Sequence, residues 1–326
     1  MKTIGFFNSK GGVGKTLLVY HVAWMLSELG VKVIAADLDP QANLTSMFLD
    51  EPALDAIWER QQQTTIYRAV APLFRGTGDV AAPSVEQIDD EIGLLLGDLR
   101  LSELEDRLAA AWLSCTCGEE HSFQLTGALT SAIAAAGRSF GAELILVDTS
   151  PSLGALNRSV LLGCDFVIMP LGADLFSPLA LQSIGMSLGK WRDERKSLHA
   201  AQPVFGAMLP GGKMAPIGYV VVRQAVFAGR LPNSTSRWLQ RIPVCYHTDI
   251  LNETEIPLYG VDDDPHCLAV LKDRRSLISL AQEARKPMFS LLPADGAFGG
   301  HQTAVRECYD EFRELSRRIM RACGLG

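Results

Sequence analysis

The sequence predicts an α/β fold: a doubly wound, mostly parallel sheet with helices on both faces. Three observations carry that prediction. Short apolar runs alternate with amphipathic stretches, the first apolar run leads through a glycine-rich turn into a helix, and later runs end in carboxylates, where open α/β sheets gather ligands. The chain has 326 residues, 48% hydrophobic and 21% charged, so it can bury a sizeable core and disorder is excluded.

Thr3–Phe7, Val31–Ala36, Leu144–Val147, Phe166–Pro170 and Gly218–Val222 are short apolar runs of strand length. Between them, 15–29, 124–140, 153–163 and 177–196 carry helical patterning, and a last helix at about 303–322 ends at Cys323-Gly324, where glycine supplies a stop. The stretch from about 50 to 123 differs. It contains Gln61-Gln62-Gln63, a Gly- and Pro-containing piece at 76–84 and a helical pattern at 101–113. No Pro/Ser-rich linker isolates it, so it reads as an elaboration on a single domain spanning 1–326, and no solenoid-length repeat is visible.

The seven cysteines are an odd number spread over a long chain, which fits a reducing compartment better than a disulfide framework. Met1-Lys2-Thr3 leads straight into a strand and no long uncharged apolar segment occurs, so the expectation is a cytoplasmic protein without membrane attachment. The net charge of −7 hides an asymmetry: residues 1–194 carry 13 basic and 24 acidic side chains, and 195–326 carry 17 and 13. Between Arg195 and His247 there is no carboxylate, although seven basic side chains occur there. A basic face on an acidic protein is one reading, and ordinary solvated charge is the other.

The first strand runs into Asn8-Ser9-Lys10-Gly11-Gly12-Val13-Gly14-Lys15-Thr16, and an apolar helical stretch follows from Leu17. Strand, glycine-rich loop and helix come in the order a phosphate-binding loop requires. Glycines let the backbone curl until its N–H groups face one anion, and the helix N-terminus adds a favourable dipole. Lys15 then reaches the β- and γ-phosphates, and the Thr16 hydroxyl is placed to ligate Mg²⁺.

Lys10-Gly11-Gly12-Val13-Gly14-Lys15-Thr16 resembles the deviant Walker A motif of the ParA/MinD superfamily, P-loop NTPases marked by an additional early lysine. The resemblance implies that Lys10, Gly11, Gly12, Val13, Gly14, Lys15, Thr16 and Leu17 bind ATP. It also implies a homodimer in the ATP state, in which Lys10 reaches across to the partner's phosphates. Leu17 stands where the family often has threonine, and Ser9 where glutamine is common.

Asp37-Leu38-Asp39-Pro40 follows the second apolar run, and carboxylates two residues apart on an extended segment point the same way. The segment looks like the family's switch I, with Asp39 matching the residue that orients the attacking water and Asp37 lying near Mg²⁺. Leu144–Val147 ends in Asp148, and a strand-end Asp holds Mg²⁺ in P-loop NTPases. Asp148 and the following Thr149-Ser150-Pro151-Ser152-Leu153 are similar to the Walker B and switch II segment, with Ser150 replacing the first of two prolines. The expected assignment is therefore catalysis by Lys10, Lys15 and Asp39, and metal ligation by Thr16, Asp37 and Asp148. By resemblance, turnover is slow without a partner and a second subunit.

Met169–Asp174 resembles a family strand and loop, with Asp174 where glutamate is usual, and Leu280–Met288 resembles the stretch before the last helix. The resemblance covers about 1–50, 140–200 and 215–322. Family members hold adenine with loops after late strands, which makes Arg223 and Asp273 the candidates.

The final helix sets Arg306, Arg313, Arg317, Arg318 and Arg321 against four carboxylates, so one reading is a self-paired solvated helix. The other is that Arg317, Arg318 and Arg321 join Arg237 and Arg241 in a phosphate-binding surface. Partition ATPases of the resembled class bind DNA without sequence preference through such a surface, in a salt-dependent manner. No helix-turn-helix fits in the seven residues before Asn8, and only Gly324-Leu325-Gly326 follow the last helix, which disfavours a MinD-type membrane segment. Cys115, Cys117 and His121 could begin a metal site, but no second pair completes it. The expected function is a ParA-type ATPase using ATP and Mg²⁺, stimulated by a ParB-like or cargo-adaptor protein. It would partition or position DNA or other cargo. The competing readings are a regulatory ATPase acting on a protein complex, a dimeric metal-cluster ATPase and, less favoured by Lys10, a biosynthetic ligase of the same fold.

Overall fold

A computed structural model describes residues 1–59, 65–201, 211–223, 233–255 and 260–325. Its eight strands are β1 (Lys2–Phe6), β2 (Val33–Leu38), β3 (Glu86–Gln87), β4 (Ile92–Leu95), β5 (Leu144–Thr149), β6 (Phe166–Gly172), β7 (Ala215–Arg223) and β8 (Cys267–Lys272). They form one sheet in the order β3-β4-β2-β5-β1-β6-β7-β8, parallel throughout except for the β3–β4 pair. Every residue of β2 and β5 is buried, because helices cover both faces. That burial is why the sequence shows continuous apolar runs there in place of alternation.

Alternate residues of the central strands feed opposite layers. Ile4, Phe6, Val33, Ala35, Leu144 and Leu146 pack with α1 (Lys15–Glu28), α10 (Arg275–Ala284) and α11 (Gly300–Ala322). On the other face, Ile34, Ala36, Ile145 and Val147 meet α4 (Ile66–Arg75), α5 (Glu105–Ser114), α6 (Glu120–Phe140) and α7 (Ala155–Leu161). Also on that face, Val167, Met169, Tyr219 and Val221 meet α8 (Phe176–Ala201) and α9 (Asn233–Cys245). The short helices α2 (Asn43–Phe48) and α3 (Glu51–Glu59) follow β2.

All five predicted strands are present. The sequence reading lacks β3, β4 and β8, and with them α2, α3, α4, α9 and α10. Ile92–Leu95 pairs in parallel with Val33–Ala36, so the 50–123 elaboration supplies two strands to the sheet itself. The predicted helix at 153–163 is shorter, Ala155–Leu161, because Leu153-Gly154 belong to the loop that leaves β5. The connection from β1 runs one way, to β2, and that from β5 runs the other way, past β1 to β6, so the order reverses between these two strands. The carboxyl ends of β1, β2 and β5 therefore frame the crevice where such sheets bind ligands.

Candidate nucleotide site

The loop between β1 and α1 closes on two glycines in the left-handed region, Gly12 at φ 73° and Gly14 at φ 78°. Gly14 caps α1, and a Cβ there would be strained whatever the space around it. Asn8, fully buried, braces the loop from behind. Its Nδ2 donates to Pro170 O on β6 at 2.6 Å, and its Oδ1 accepts the Lys10 N–H at 2.9 Å.

Lys15 and Thr16, the first residues of α1, converge on Asp148 at the end of β5. Lys15 Nζ lies 2.8 Å from Asp148 Oδ1, and Thr16 Oγ1 donates to Oδ2 at 2.7 Å. Burial raises the Asp148 pKa, and the Lys15 ammonium opposes that rise. A hydroxyl beside a carboxylate is a hard oxygen pair of the kind Mg²⁺ prefers, so the donor set fits that ion.

β2 places Asp37 in register with Asp148, and the two switch-like carboxylates then differ in their hydrogen-bond partners. Asp37 Oδ2 accepts from Thr45 N and Thr45 Oγ1, both at 2.8 Å, and the Thr45 hydroxyl in turn accepts the Gly97 N–H at 2.9 Å. Burial first, and then the charge of Asp148, push the Asp37 carboxyl up to about 7. Asp39 lines the cavity beside the glycine-rich loop and accepts the Gln41 N–H at 2.9 Å, and of the two it is the one among that cavity's lining residues.

That cavity, about 480 Å³, is lined by every residue from Lys10 to Leu17, by Asp39 and by Pro151. Its far wall is Met47 from α2 with Ile278 and Gln282 from α10. These three, with Gln41, Asn43 and Ser46, line the cavity without having been candidates in the sequence. The i, i+4 spacing of Ile278 and Gln282 on the helix after β8 was the available signal. Of the two adenine candidates, Asp273 is not among the residues lining the cavity and pairs with Arg275 at 3.0 Å, while Arg223 ends β7 with its side chain outside the described residues.

Lys10 leaves the loop and forms an ion pair with Asp174, its ammonium 5.5 Å from the centroid of the Phe176 ring. Asp174 also accepts the Phe176 N–H at 2.9 Å and the Ser177 N–H at 3.2 Å at the start of α8. Phe176, Leu179 and Met186 are exposed along that helix.

The candidate phosphate-contacting arginines fall into two groups on opposite faces of the sheet. Arg237 and Arg241 are exposed on α9, and Arg241 lies over the Trp238 ring. Arg317, Arg318 and Arg321 are exposed on α11, where Glu314 accepts from both Arg318 and Arg321 at 3.1 Å. Of the acid-free stretch, Arg195 donates to the carbonyls of Leu162 and Gly212, and Arg230 lies outside the described residues. Cys115 is buried, its thiol pushed up to about 11 by desolvation, while Cys117 is exposed. Among the described residues no three His, Cys, Asp or Glu side chains stand where they could hold a metal ion, and no helix is long and apolar enough to cross a membrane.

Residues 1–199 match the family described as an AAA domain. The virulence plasmid ParA family protein of Chlamydia psittaci is 28% identical over 196 residues, 56% of this chain and 62% of that relative. The chromosome-partitioning ATPase Soj of Thermus thermophilus is 27% identical over 209 residues, 64% of this chain and 69% of its own length. The match thus spans less than two thirds of the Chlamydia relative. Among solved structures, a Corynebacterium diphtheriae protein superposes with a TM-score of 0.69 at 23% identity, covering 99% of this chain and 98% of its own. A putative plasmid partition protein from Borrelia burgdorferi, bound to AMPPNP, gives 0.60 at 18% identity, with 98% of each chain covered.

Proposed function

The chain belongs to the AAA domain family, in the ParA/MinD superfamily of partition ATPases, and on that premise we propose that it is a Mg²⁺-dependent ATPase that dimerises with ATP. The ATP-bound homodimer binds DNA without sequence preference and releases it on hydrolysis, serving the partition or positioning of DNA or other cargo. Turnover is slow until a ParB-like or cargo-adaptor protein engages, and the protein is cytoplasmic and nucleoid-associated.

The observation that carries this reading is the convergence of Lys10, Lys15, Thr16 and Asp39 on one cavity, with Asp148 held by Lys15 and Thr16. Lys15 and the loop N–H groups bind the phosphates, and Asp39 orients a water for in-line attack on the γ-phosphorus. Thr16 and Asp148 would hold Mg²⁺, with Asp37 behind them, and the ion would supply neutralising charge at the phosphate oxygens. Lys10 contributes charge to the nucleotide of a second copy. The exposed Phe176 and Leu179 beside it support a second copy closing there.

One observation favours a second reading, a regulatory ATPase that positions a protein complex without DNA. The two arginine groups pack on opposite faces of the sheet, and Glu314 engages two of the three on α11. The test is DNA retention by the purified protein with ADP, with ATP, and with ATP after Lys10→Ala, at two salt concentrations, with oligomer mass recorded alongside. A salt-sensitive, ATP-dependent, DNA-bound dimer that Lys10→Ala abolishes is the expected outcome. A dimer that ignores DNA at low salt selects the protein-positioning reading, and no nucleotide-dependent change in mass or retention refutes the switch.

A further inference from the structure

The elaboration reaches the helix after the switch II-like segment through a carboxylate that the proposed chemistry does not use. Glu105, the first residue of α5, extends to the N-terminus of α7, the helix that follows the switch II-like segment. Its Oε1 accepts the Ala155 N–H and its Oε2 accepts the Leu156 N–H at 3.0 Å. α7 has no side-chain cap of its own, since Gly154 occupies that position, so Glu105 supplies the anionic partner from a distant part of the chain. Gly154 is what admits it. Its backbone, at φ −78°, suits any residue, but an added Cβ would run into Glu105 Oε1.

From there the contacts continue to the phosphate cavity. Asn157, one turn into α7 and 1% exposed, donates through Nδ2 to Ser150 O at 2.7 Å and Ser152 O at 2.6 Å. Those two carbonyls flank Pro151, which lines the cavity 3.9 Å from where a Cβ on Gly11 would stand. Asn157 Oδ1, by contrast, is buried with no hydrogen-bond partner.

We infer that Glu105 is a positioning residue that couples the 50–123 elaboration to the segment following Asp148, through α7 and Asn157. The inference rests on the ATPase reading and adds its regulation. Whatever shifts α5 shifts the α7 N-terminus, and so the loop that meets the nucleotide.

The test compares the full-length protein with Glu105→Ala, Glu105→Gln, Gly154→Ala and the Glu105→Ala/Gly154→Ala double variant. Three quantities are read: affinity for a fluorescent ATP analogue, steady-state kcat and KM for Mg-ATP, and hydrogen exchange of the loop at 10–16 and of 150–157 with and without ATP. Glu105→Ala is expected to leave affinity within about twofold and lower kcat about tenfold. ATP should still protect 10–16 but no longer protect 150–157. Glu105→Gln, which keeps one acceptor, should recover part of the rate. Gly154→Ala should reproduce Glu105→Ala alone and add nothing to it in the double variant. If 10–16 and 150–157 both respond to ATP as in the wild-type protein and kcat is unchanged, the coupling is overturned. So it is if the two single substitutions act additively. If ATP protects 10–16 in no variant, wild type included, the nucleotide reading fails and the coupling falls with it.

Discussion

His21 gives the protein a pH dependence that can be worked out from its contacts. It is fully buried on α1, its Nδ1–H donating to Leu17 O at 2.7 Å and its Nε2 accepting the Met288 N–H at 3.0 Å. Both ring nitrogens are therefore committed in the neutral form. Its ring stacks on Phe312 at 5.0 Å and meets Phe289 edge-on at 5.8 Å, so an added charge would sit among aromatic rings. Burial pulls its pKa from the usual 6.5 down to about 4, against the Leu17 bond, which raises it. Because the folded value is the lower one, the unfolded chain takes up the proton first. Stability is intact above pH 6.5 and is lost as pH falls toward 4, by about 2–3 kcal/mol between pH 8 and pH 4.5. His21→Leu removes that term and leaves the Met288 N–H buried without an acceptor, at a cost of about 1–3 kcal/mol at every pH. Urea unfolding of both proteins across this range should therefore show the wild-type advantage at pH 8 closing to about zero near pH 4.5. Other titrating groups cancel in the difference. A gap that stays constant within about 0.5 kcal/mol over the series would refute the reasoning, since 2–3 kcal/mol is well above the error of such comparisons.

Lys15→Met leaves Asp148 buried without its cation and should cost about 3–5 kcal/mol, read as a fall in melting temperature without nucleotide. Adding Asp148→Asn should recover much of that loss, and additive effects would contradict the pairing. Asp39→Ala should lower ATP turnover about a hundredfold while binding of an ATP analogue persists, because Asp39 lines the cavity without bracing the loop. If the DNA reading holds, Arg317→Ala should reduce the slope of log affinity against log salt by about 1, and an unchanged slope would remove Arg317 from the interface. Asp174→Asn releases Lys10 from an ion pair about one-third exposed on each side, worth about 0.2–1 kcal/mol. ATP-driven dimerisation, followed by mass, should tighten by up to about fivefold, and weaker dimerisation would mean that Asp174 helps the dimer instead of restraining Lys10.

The parts of the molecule legible in the sequence are those where local chemistry and chain order coincide. The phosphate loop needs its glycines and lysines consecutively, and the strands carrying Asp37 and Asp148 are buried on both faces, so each leaves an unbroken apolar run. β4 and β8 escaped for opposite reasons. Ile92–Leu95 is an apolar run as clear as Val33–Leu38, but it lies inside a stretch whose polar and glycine-rich neighbours read as irregular. Cys267–Lys272 lies at the sheet edge, where Ala269 and Val270 are only half-buried and the run ends in lysine, so the signal of a covered strand is weak. That Asp37 would be held by Thr45 was not legible, because Thr45 lies on a helix, α2, that the sequence reading lacks.

Long-range partners set a harder limit. Asp37 is tied to Thr45 and so to Gly97, Lys10 to Asp174 and α7 to Glu105, across separations that run from 8 residues to 164. Asp174 lies in a recognisable strand and loop, but Thr45, Gly97 and Glu105 carry no motif of their own, since an acidic residue opening a helix reads as ordinary charge on a helix end. The loop motif names what is bound, but which part of the chain answers to the binding is decided by which elements the sheet brings together. The strand order places the elaboration's α5 against α7 and its Gly97 beneath Asp37. The same packing that completes the sheet therefore touches both Asp37 and the helix that follows the loop after β5. A sheet without β4 and α5 would keep the glycine-rich loop and the strand-end carboxylates but lose the Glu105 and Gly97 contacts, so those contacts belong to the elaboration and not to the motifs.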